Sequence, residues 1–144
     1  IGPARPFGLV KLGPDMAGPD LNSGYDPKRP LLGFSHLHVS GTGGGPKYGN
    51  ILVTPPTGPL VLTGYESPSS DESVKLGYYA TTLERYGVRA ELTTTRRVGY
   101  HRYTFSKAGP AHILFNVDHV LTSSVKDEGT LVEITFPATR VLAD

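Results

Sequence analysis

The sequence predicts an all-β protein that folds as an antiparallel β-sandwich. Its 144 residues fall in the size range of one domain. Gly (18) and Pro (13) are spread along the chain as turn residues, while stretches with the 3.6-residue period of a helix are missing. Short apolar segments with a two-residue period lie between these turns, as is typical of strands. We therefore expect roughly eight or nine strands, no helix, and a single domain or part of one over residues 1–144.

The first half of the chain is irregular, and its predicted strands are short. The four strand candidates are residues 7–12, 32–39, 51–54 and 60–63. Residues 55–59, Pro-Pro-Thr-Gly-Pro, lack the backbone donors of a strand and are predicted as a turn. The polar residues 65–73 are predicted as a loop.

The second half carries the clearer strand signal. Residues 78–84 and 88–97 form a predicted hairpin around Gly87, which is free to adopt a positive φ. In the second of these strands, apolar and polar residues alternate from Val88 to Thr95, as in a half-buried strand. Residues 98–105 continue as a strand with a predicted bulge near Gly99, where the apolar phase shifts.

Two further strands are predicted near the end of the chain. In residues 112–117, Ile113, Phe115 and Val117 share one face. Residues 131–136 close the series, again with apolar side chains at alternate positions. The natural arrangement of these strands is a twisted antiparallel sandwich.

Composition excludes several classes of function. The net charge is +1 and no block of like charges occurs, so no nucleic acid or anionic membrane is expected as a partner. Cysteine is absent, which removes disulfides and thiol chemistry. No apolar run approaches the roughly 20 residues that span a bilayer. The chain begins Ile1-Gly2-Pro3 without Met, and we expect that a leader has been removed.

Residues 33–45 are the densest chemical segment. If they form a strand, His36 and His38 lie on one face about 7 Å apart, the spacing of a two-imidazole metal pair. The alternative is that both histidines hydrogen-bond to neighbouring polar groups under the glycines. The glycines of residues 41–45 do not have the spacing of a phosphate loop. They suit a close approach of backbone to a ligand's hydroxyls or to another strand.

Other patterns argue against a nucleic-acid site and against catalysis by this chain. Cations and aromatic rings interleave over residues 96–103, but alternation on a strand divides the charge between two faces, which disfavours a nucleic-acid site. The carboxylates lie mostly in predicted loops, with no spacing that fixes an acid and a base. No Gly-x-Ser-x-Gly elbow is present either.

Ordered segments of the chain resemble the start of the glycoside hydrolase family 92 α-mannosidases. These segments are R-P-F-G at 5–8, L-G-P-D at 12–15, G-Y at 24–25, G-F-S-H at 33–36, S-G-T-G at 40–43 and Y-G-N-I-L at 48–52. Three later segments of this chain resemble the family's central strands. They are G-Y-Y at 77–79, Y-G-V-R-A-E-L-T at 86–93 and T-R-R-V-G-Y-H-R-Y-T-F at 95–105. The likeness extends over about residues 3–118.

The resemblance implies the N-terminal domain of a calcium-dependent, inverting exo-α-mannosidase that is secreted or periplasmic. This domain is a galactose-mutarotase-like supersandwich that packs on a catalytic (α/α)6 domain in cis, and the mannose-containing glycan binds at their junction. The acid, the base and most calcium ligands belong to that following domain, which is absent from this chain, so no metal and no catalytic residue are expected here. The implied substrate contacts are Phe7, Ser35, His36, His38, Ser40, Gly41, Thr42, Gly43 and Arg97.

The chain departs from the family pattern at Gly44, where many members have Cys, and at Asn50, where Asp is common. It has no Trp to stack on a sugar ring, and we expect it to end before the sandwich is complete, which exposes strand edges. Two alternatives for the chain alone are a carbohydrate-binding module and a sugar mutarotase. The mutarotase would use His36, His38, His101 and Glu91.

Overall fold

The computed structural model describes residues 2–18, 25–38, 49–121 and 132–133. Within them the chain forms nine strands and no helix. The strands are β1 (Gly13–Met16), β2 (Leu31–Ser35), β3 (Leu52–Thr54), β4 (Ser69–Lys75), β5 (Tyr78–Leu83), β6 (Val88–Thr94), β7 (Gly99–Phe105), β8 (Leu114–Asn116) and β9 (Val132–Glu133). No helix in the described ranges is long and apolar enough to span a membrane.

The strands form two sheets, and every strand pair is antiparallel. The first sheet has the order β1-β2-β3-β8-β9, and the second is the consecutive meander β4-β5-β6-β7. The predicted all-β antiparallel sandwich is therefore confirmed.

The hydrophobic core lies between the two sheets. From the first sheet and the segment before it come Val10, Leu12, Met16, Leu31 and Phe34. From the second sheet and its turn come Tyr79, Leu83, Tyr86, Val88, Ala90 and Leu92. A smaller cluster of Leu52, Tyr65 and Leu114, with Leu32 packed against it, accompanies the first sheet. The first sheet thus contributes residues to two separate apolar clusters.

The β5–β6 hairpin forms as the sequence predicts. Gly87 has a φ of 61°, and the inward residues of β6 are buried at alternate positions. The bulge predicted near Gly99 is absent, since the β6–β7 register runs unbroken from the Val88–Phe105 pair to the Thr94–Gly99 pair. The apolar phase shifts because a tight turn lies between the strands, where the Thr95 N–H donates to the Val98 carbonyl (2.9 Å).

Three predictions in the first half of the chain are wrong. The strand expected at residues 7–12 begins only at Gly13, because residues 5–8 form a turn. Residues 60–63 do not form a strand. The predicted polar loop at residues 65–73 contains most of β4, an edge strand whose side chains are mainly exposed and so lack an apolar pattern.

The prediction for the strand near residue 115 has the wrong face inward. Leu114 is buried, whereas Phe115 is only partly buried and Val117 is exposed. Of the strand predicted at residues 131–136, only β9 lies within the described residues.

Candidate functional site

A tight turn presents Phe7 at one end of the sandwich. The Gly8 N–H donates to the Arg5 carbonyl at 3.0 Å, and Pro6 supplies the fixed φ that suits the second position of such a turn. Phe7 occupies the third position with a φ of 56°, where Gly or Asn is usual. Its side chain packs on nothing in the described part of the chain, since Phe7 is 99% exposed.

This turn is bonded to the β6–β7 connection, which carries Arg97. The Leu9 N–H donates to the Arg96 carbonyl at 2.7 Å, and Arg5 Nε donates to the Thr94 carbonyl at 3.0 Å. The Val98 N–H also donates to Thr95 Oγ1 (3.1 Å), which fixes the connection. Arg97 is exposed at its tip, so the structure brings Phe7 and Arg97 to the same end of the molecule.

His36 follows β2 and joins the two sheets at this end. Its Nδ1 lies 3.2 Å from the Ile51 carbonyl, and its Nε2 lies 3.0 Å from His101 Nε2 on β7. His101 Nδ1 lies 2.7 Å from the Tyr103 hydroxyl. A carbonyl can only accept, so His36 Nδ1 donates and His36 Nε2 accepts when that ring is neutral. His101 Nε2 then donates, and its Nδ1 accepts from Tyr103.

The result is a hydrogen-bond chain with one direction, from Tyr103 through His101 and His36 to Ile51. Phe34 packs against the two members of this hydrogen-bond chain that lie on β7, with ring centroids 6.3 Å from His101 and 6.3 Å from Tyr103. Burial, and to a lesser extent electrostatic repulsion between the two imidazoles, lowers the pKa of His101 to about 4. Burial also raises the pKa of Tyr103. Both residues are therefore neutral at physiological pH, as the direction of the chain requires.

Gly99 leaves the space that the His36 ring fills. A Cβ on Gly99 would stand 2.8 Å from His36 Cδ2, closer than such atoms approach one another. The side of β7 that faces the core therefore begins with Gly99, which has no side chain, and continues with His101, Tyr103 and Phe105.

A second cluster is centred on Asp15, a carboxylate with no solvent exposure (0%). Asp15 Oδ1 accepts from His38 Nε2 at 2.5 Å, and Oδ2 accepts from His119 Nε2 at 2.9 Å. His38 Nδ1 donates to the Lys11 carbonyl at 2.7 Å. Both ring nitrogens of His38 thus face acceptors, which is the hydrogen-bonding pattern of an imidazolium.

The electrostatics of this cluster favour a charged pair. Burial alone would raise the pKa of Asp15, but the hydrogen bonds from His119 and His38 outweigh burial and hold that pKa below its ordinary value. Burial alone would lower the pKa of His38, but the hydrogen bond to Asp15 and its negative charge raise it. Asp15 and His38 are therefore a buried ion pair with His119 as a further donor.

The same cluster lies beside the two ends of the glycine-containing segment. The Gly49 N–H donates to the Leu37 carbonyl at 2.8 Å, and a Cβ on Gly49 would lie 3.4 Å from Asp15 Oδ2. Asn50 Nδ2 donates to the His119 carbonyl at 3.5 Å. The positions before and after the segment are thus fixed around Asp15.

The predicted site residues divide into three groups. Phe7, Arg97 and His36 are brought to one end of the sandwich, Ser35 and His38 lie in the Asp15 cluster, and the remaining four lie outside the described residues. Those four are Ser40, Gly41, Thr42 and Gly43. Ser35 is buried, and its Oγ is 3.3 Å from His38 Nε2. His36 and His38 are not a metal pair, because they hydrogen-bond within separate clusters.

Sequence reasoning missed Asp15, His119 and Tyr103 as members of these clusters. Asp15 and His119 are 104 positions apart, and no local pattern relates them. The one available signal was the two-residue spacing of His101 and Tyr103, which places both on the same face of a strand.

The residues suggested for a mutarotase do not form one site. Glu91 alternates with the inward residues of β6, so it lies on the opposite face of the sheet from His101. Its carboxylate accepts from Arg102 Nε and Nη2 (2.6 and 2.6 Å) and from the Tyr78 hydroxyl (2.8 Å). These hydrogen bonds, from Arg102 first and then Tyr78, lower the pKa of Glu91 to about 2. Glu91 is therefore a paired surface carboxylate rather than a general base.

Comparison with known proteins identifies related sequences. Residues 1–141 match the family model of the Glycosyl hydrolase family 92 N-terminal domain. The chain is also 29% identical over 115 residues to a protein from Arthroderma benhamiae named an uncharacterized secreted glycosidase. That match covers 72% of this chain and 15% of the fungal protein.

Solved structures with the same fold include two glycosidases. The family GH92 alpha-mannosidase from Bacteroides thetaiotaomicron in complex with mannoimidazole has a TM-score of 0.77 and 36% identity, over 84% of this chain and 18% of that chain. The GH92 family glycosyl hydrolase ccman5 has a TM-score of 0.67 and 28% identity, over 85% of this chain and 18% of that one. The chain thus spans less than a fifth of each protein that it matches.

Proposed function

Since the chain belongs to glycosyl hydrolase family 92 and corresponds to its N-terminal domain, we propose that it is the non-catalytic N-terminal part of a secreted exo-α-mannosidase. In this proposal it supplies substrate contacts to a pocket whose acid and base lie in a following (α/α)6 domain. The substrate is a terminal α-mannoside of a glycan.

The observation that carries the proposal is the 36% identity, over 84% of the chain, to an alpha-mannosidase whose own chain is several times longer. An inverting glycosidase needs two carboxyl groups roughly 6.5–9.5 Å apart with a water between them. Glu91 on β6 is held by Arg102 and Tyr78. The buried Asp15 is held by two histidines. Neither is available as a general acid or base.

The end of the sandwich that carries Phe7 and Arg97 offers two kinds of contact to a sugar. An exposed phenyl ring can pack on the apolar C–H face of a pyranose, the role that Trp would otherwise fill. A guanidinium donates to hydroxyl groups in a planar fork. Phe7 is held in a left-handed backbone conformation, and residues kept in such conformations are concentrated at ligand sites.

Calcium is proposed to bind in the following domain. Its preferred ligands are six to eight oxygens, whereas the described part of this chain has no group of three or more His, Asp or Glu side chains that could hold a metal. The buried carboxylate of Asp15 is already occupied by His38 and His119. The described residues therefore do not fit a calcium site, and we assign this chain no step that uses the ion.

The test compares the 144-residue chain with the longer protein that the proposal requires, both assayed on an aryl α-mannoside. We expect hydrolysis only by the longer protein and loss of that activity with a calcium chelator. In the longer protein, Phe7→Ala should raise KM about fivefold, because a sugar-stacking ring is lost. Leu76→Ala is the matched control, since Leu76 is also 99% exposed but lies in the β4–β5 turn.

Two outcomes would contradict the proposal. Hydrolysis by the 144-residue chain at an enzymatic rate would place the acid and base within it. An equal effect of Phe7→Ala and Leu76→Ala would remove Phe7 from the site.

A second candidate function, a free-standing carbohydrate-binding module, is favoured by the exposure of Phe7, because such modules bind sugar on an accessible aromatic ring. Calorimetry with mannose distinguishes the two. Saturable heat from the chain alone supports the module, and no detectable heat supports the domain of a larger enzyme.

A further inference from the structure

Ile51 has a backbone conformation that its side chain disfavours. Its φ is 61°, in the left-handed region where a β-branched residue is a true outlier. Burial of the side chain does not compensate for this strain, since Ile51 is 43% exposed. The chain therefore keeps a strained, partly exposed apolar residue directly before the central strand β3.

The hydrogen-bond chain from Tyr103 ends on this strained residue. His36 Nδ1 donates to the Ile51 carbonyl at 3.2 Å, and the His36 ring is in turn fixed by His101 Nε2 at 3.0 Å. Each member uses its donor on the next acceptor, so no ring nitrogen of His36 or His101 is left for a ligand. These hydrogen bonds thus orient the peptide group of Ile51 rather than presenting a polar group to the solvent.

Ile51 lies at the end of the sandwich that also carries Phe7. The Lys11 N–H donates to the His36 carbonyl at 2.8 Å, which ties the segment after the Phe7 turn to the residue that holds Ile51. Phe7 and Ile51 share two properties, an exposed apolar side chain and a left-handed backbone. Strain persists in native proteins where the surroundings enforce it, and it is concentrated at ligand-binding positions.

We propose that Ile51 is a further substrate-contacting residue of the glycan site, and that His36, His101 and Tyr103 are positioning residues that hold it in place. This inference rests on the proposed function. An aliphatic side chain in such a site contacts the C–H face of the sugar, while polar groups fix its hydroxyls.

The first test is the KM of the full-length enzyme for an aryl α-mannoside. Ile51→Ala should raise KM about fivefold, because buried apolar contact is lost, and should leave kcat unchanged. Val74→Ala is the matched control, because Val74 is also β-branched and is 52% exposed, but lies on β4 at the far edge of the second sheet from β7. It should change neither constant.

The second test separates the backbone from the side chain. At Ile51, Gly should give a higher Tm than Ala by about 2 °C, because only Gly relieves the left-handed strain. At Val74, whose φ is not positive, the order should reverse, since Gly normally weakens a strand. Ile51→Gly and Ile51→Ala should raise KM by similar factors, because both lack the aliphatic side chain beyond Cβ.

The third test concerns the positioning residues. His36→Leu removes the donor to the Ile51 carbonyl and should raise KM, whereas His36→Asn keeps a donor near the Nδ1 position and should restore much of the loss. In an Ile51→Ala background, His36→Leu should have little further effect on KM, because His36 acts through Ile51. If His36 had only a structural role, His36→Leu would lower Tm, and its effect on KM would be the same with or without Ile51→Ala.

Several outcomes would overturn the inference. An unchanged KM for Ile51→Ala removes Ile51 from the substrate site. A fall in Tm with changes in both kcat and KM indicates instead that Ile51 packs on another part of the protein. Additive effects of His36→Leu and Ile51→Ala exclude a positioning role for His36. Absence of α-mannosidase activity in the unmodified full-length protein overturns the proposed function, and this inference with it.

Discussion

Asp15 is a buried carboxylate whose two oxygens both accept hydrogen bonds from histidines. Removing one partner of a buried ion pair leaves an uncompensated charge, which destabilises proteins far more than losing an exposed pair does. The cluster also connects β1 to the segment after β8, which are distant in sequence. Asp15 is therefore the residue where a small chemical change should have the largest structural effect.

We predict that Asp15→Asn lowers the free energy of unfolding by about 3–5 kcal/mol at pH 6.5, because His38 then loses its buried counter-charge. Asp26→Asn serves as the control, since Asp26 pairs with Arg29 at 3.2 Å on the surface, and it should cost less than about 1 kcal/mol. Urea unfolding measures both. Equal losses would mean that the Asp15 cluster contributes no more than a surface pair.

For single residues, the sequence identifies only one partner of each hydrogen bond. His36 and His38 stand out because they share a short motif with glycines, but their partners lie elsewhere. His101 is 65 positions from His36, and Asp15 is 23 positions before His38. The first pair depends on how the two sheets are stacked and the second on how β1 pairs with β2, and the pattern of a single strand determines neither.

Three strands of the second sheet follow their local sequence closely. β5, β6 and β7 are joined by short turns, and the alternating burial of β6 and β7 matches the two-residue period of a strand. Gly87 turns the chain from β5 to β6, and a Cβ there would stand 2.4 Å from Ser106 Oγ. The turn therefore requires Gly for both its φ and its space.

We predict that Gly87→Ala destabilises the chain more than Gly77→Ala does. Both glycines have positive φ, 61° and 74°, so each Ala costs about 1–2 kcal/mol of backbone strain. A Cβ on Gly77 meets nothing within 4 Å, and only the Gly87 variant must also displace Ser106. Thermal unfolding compares them, and adding Ser106→Ala should reduce the Gly87→Ala loss to that of Gly77→Ala. No reduction would show that Ser106 moves away without cost.

The strand predictions are wrong where the burial of a segment does not follow from its pattern of apolar residues. β4 is an edge strand of polar, mostly exposed side chains, so it has no apolar period to detect. Residues 60–63 contain Leu60, Val61 and Leu62 but are not a strand, and Val61 and Leu62 are exposed. A hydrophobic run predicts a strand only if another layer covers it, and that layer is a property of the tertiary structure.

The whole molecule has two histidines whose pKa values move in opposite directions. The pKa of His101 falls to about 4 from 6.5, whereas that of His38 rises above 6.5. Between pH 4 and 6.5 the unfolded chain binds a proton at His101 that the folded chain does not, so stability increases with pH. Above pH 6.5 the folded chain retains a proton at His38 that the unfolded chain releases, so stability decreases as pH rises through the raised pKa.

We predict that stability is greatest slightly above pH 6.5 and declines on both sides, because His101 is then neutral while His38 is still charged. Urea unfolding across pH 3–9 measures the profile. His101→Gln should flatten the acidic side and His38→Gln the alkaline side. The acidic loss deepens further below pH 3.8, as Asp15 is protonated through its lowered pKa. A profile that both variants leave unchanged would contradict these assignments.

The hydrogen bond from the Gly49 N–H to the Leu37 carbonyl has a consequence for protein engineering. It closes the chain on itself just before β3, so the residues between His38 and Gly49 can be exchanged as a cassette that leaves the Asp15–His38 ion pair in place. Loop closure costs only about 0.6 kcal/mol for each doubling of length, and the β2–β3 register depends on the Phe34–Val53 and Ser35–Leu52 pairs outside the cassette. Segments from other family members can therefore be grafted here on an unchanged sandwich, which separates the contribution of this segment from that of the fold.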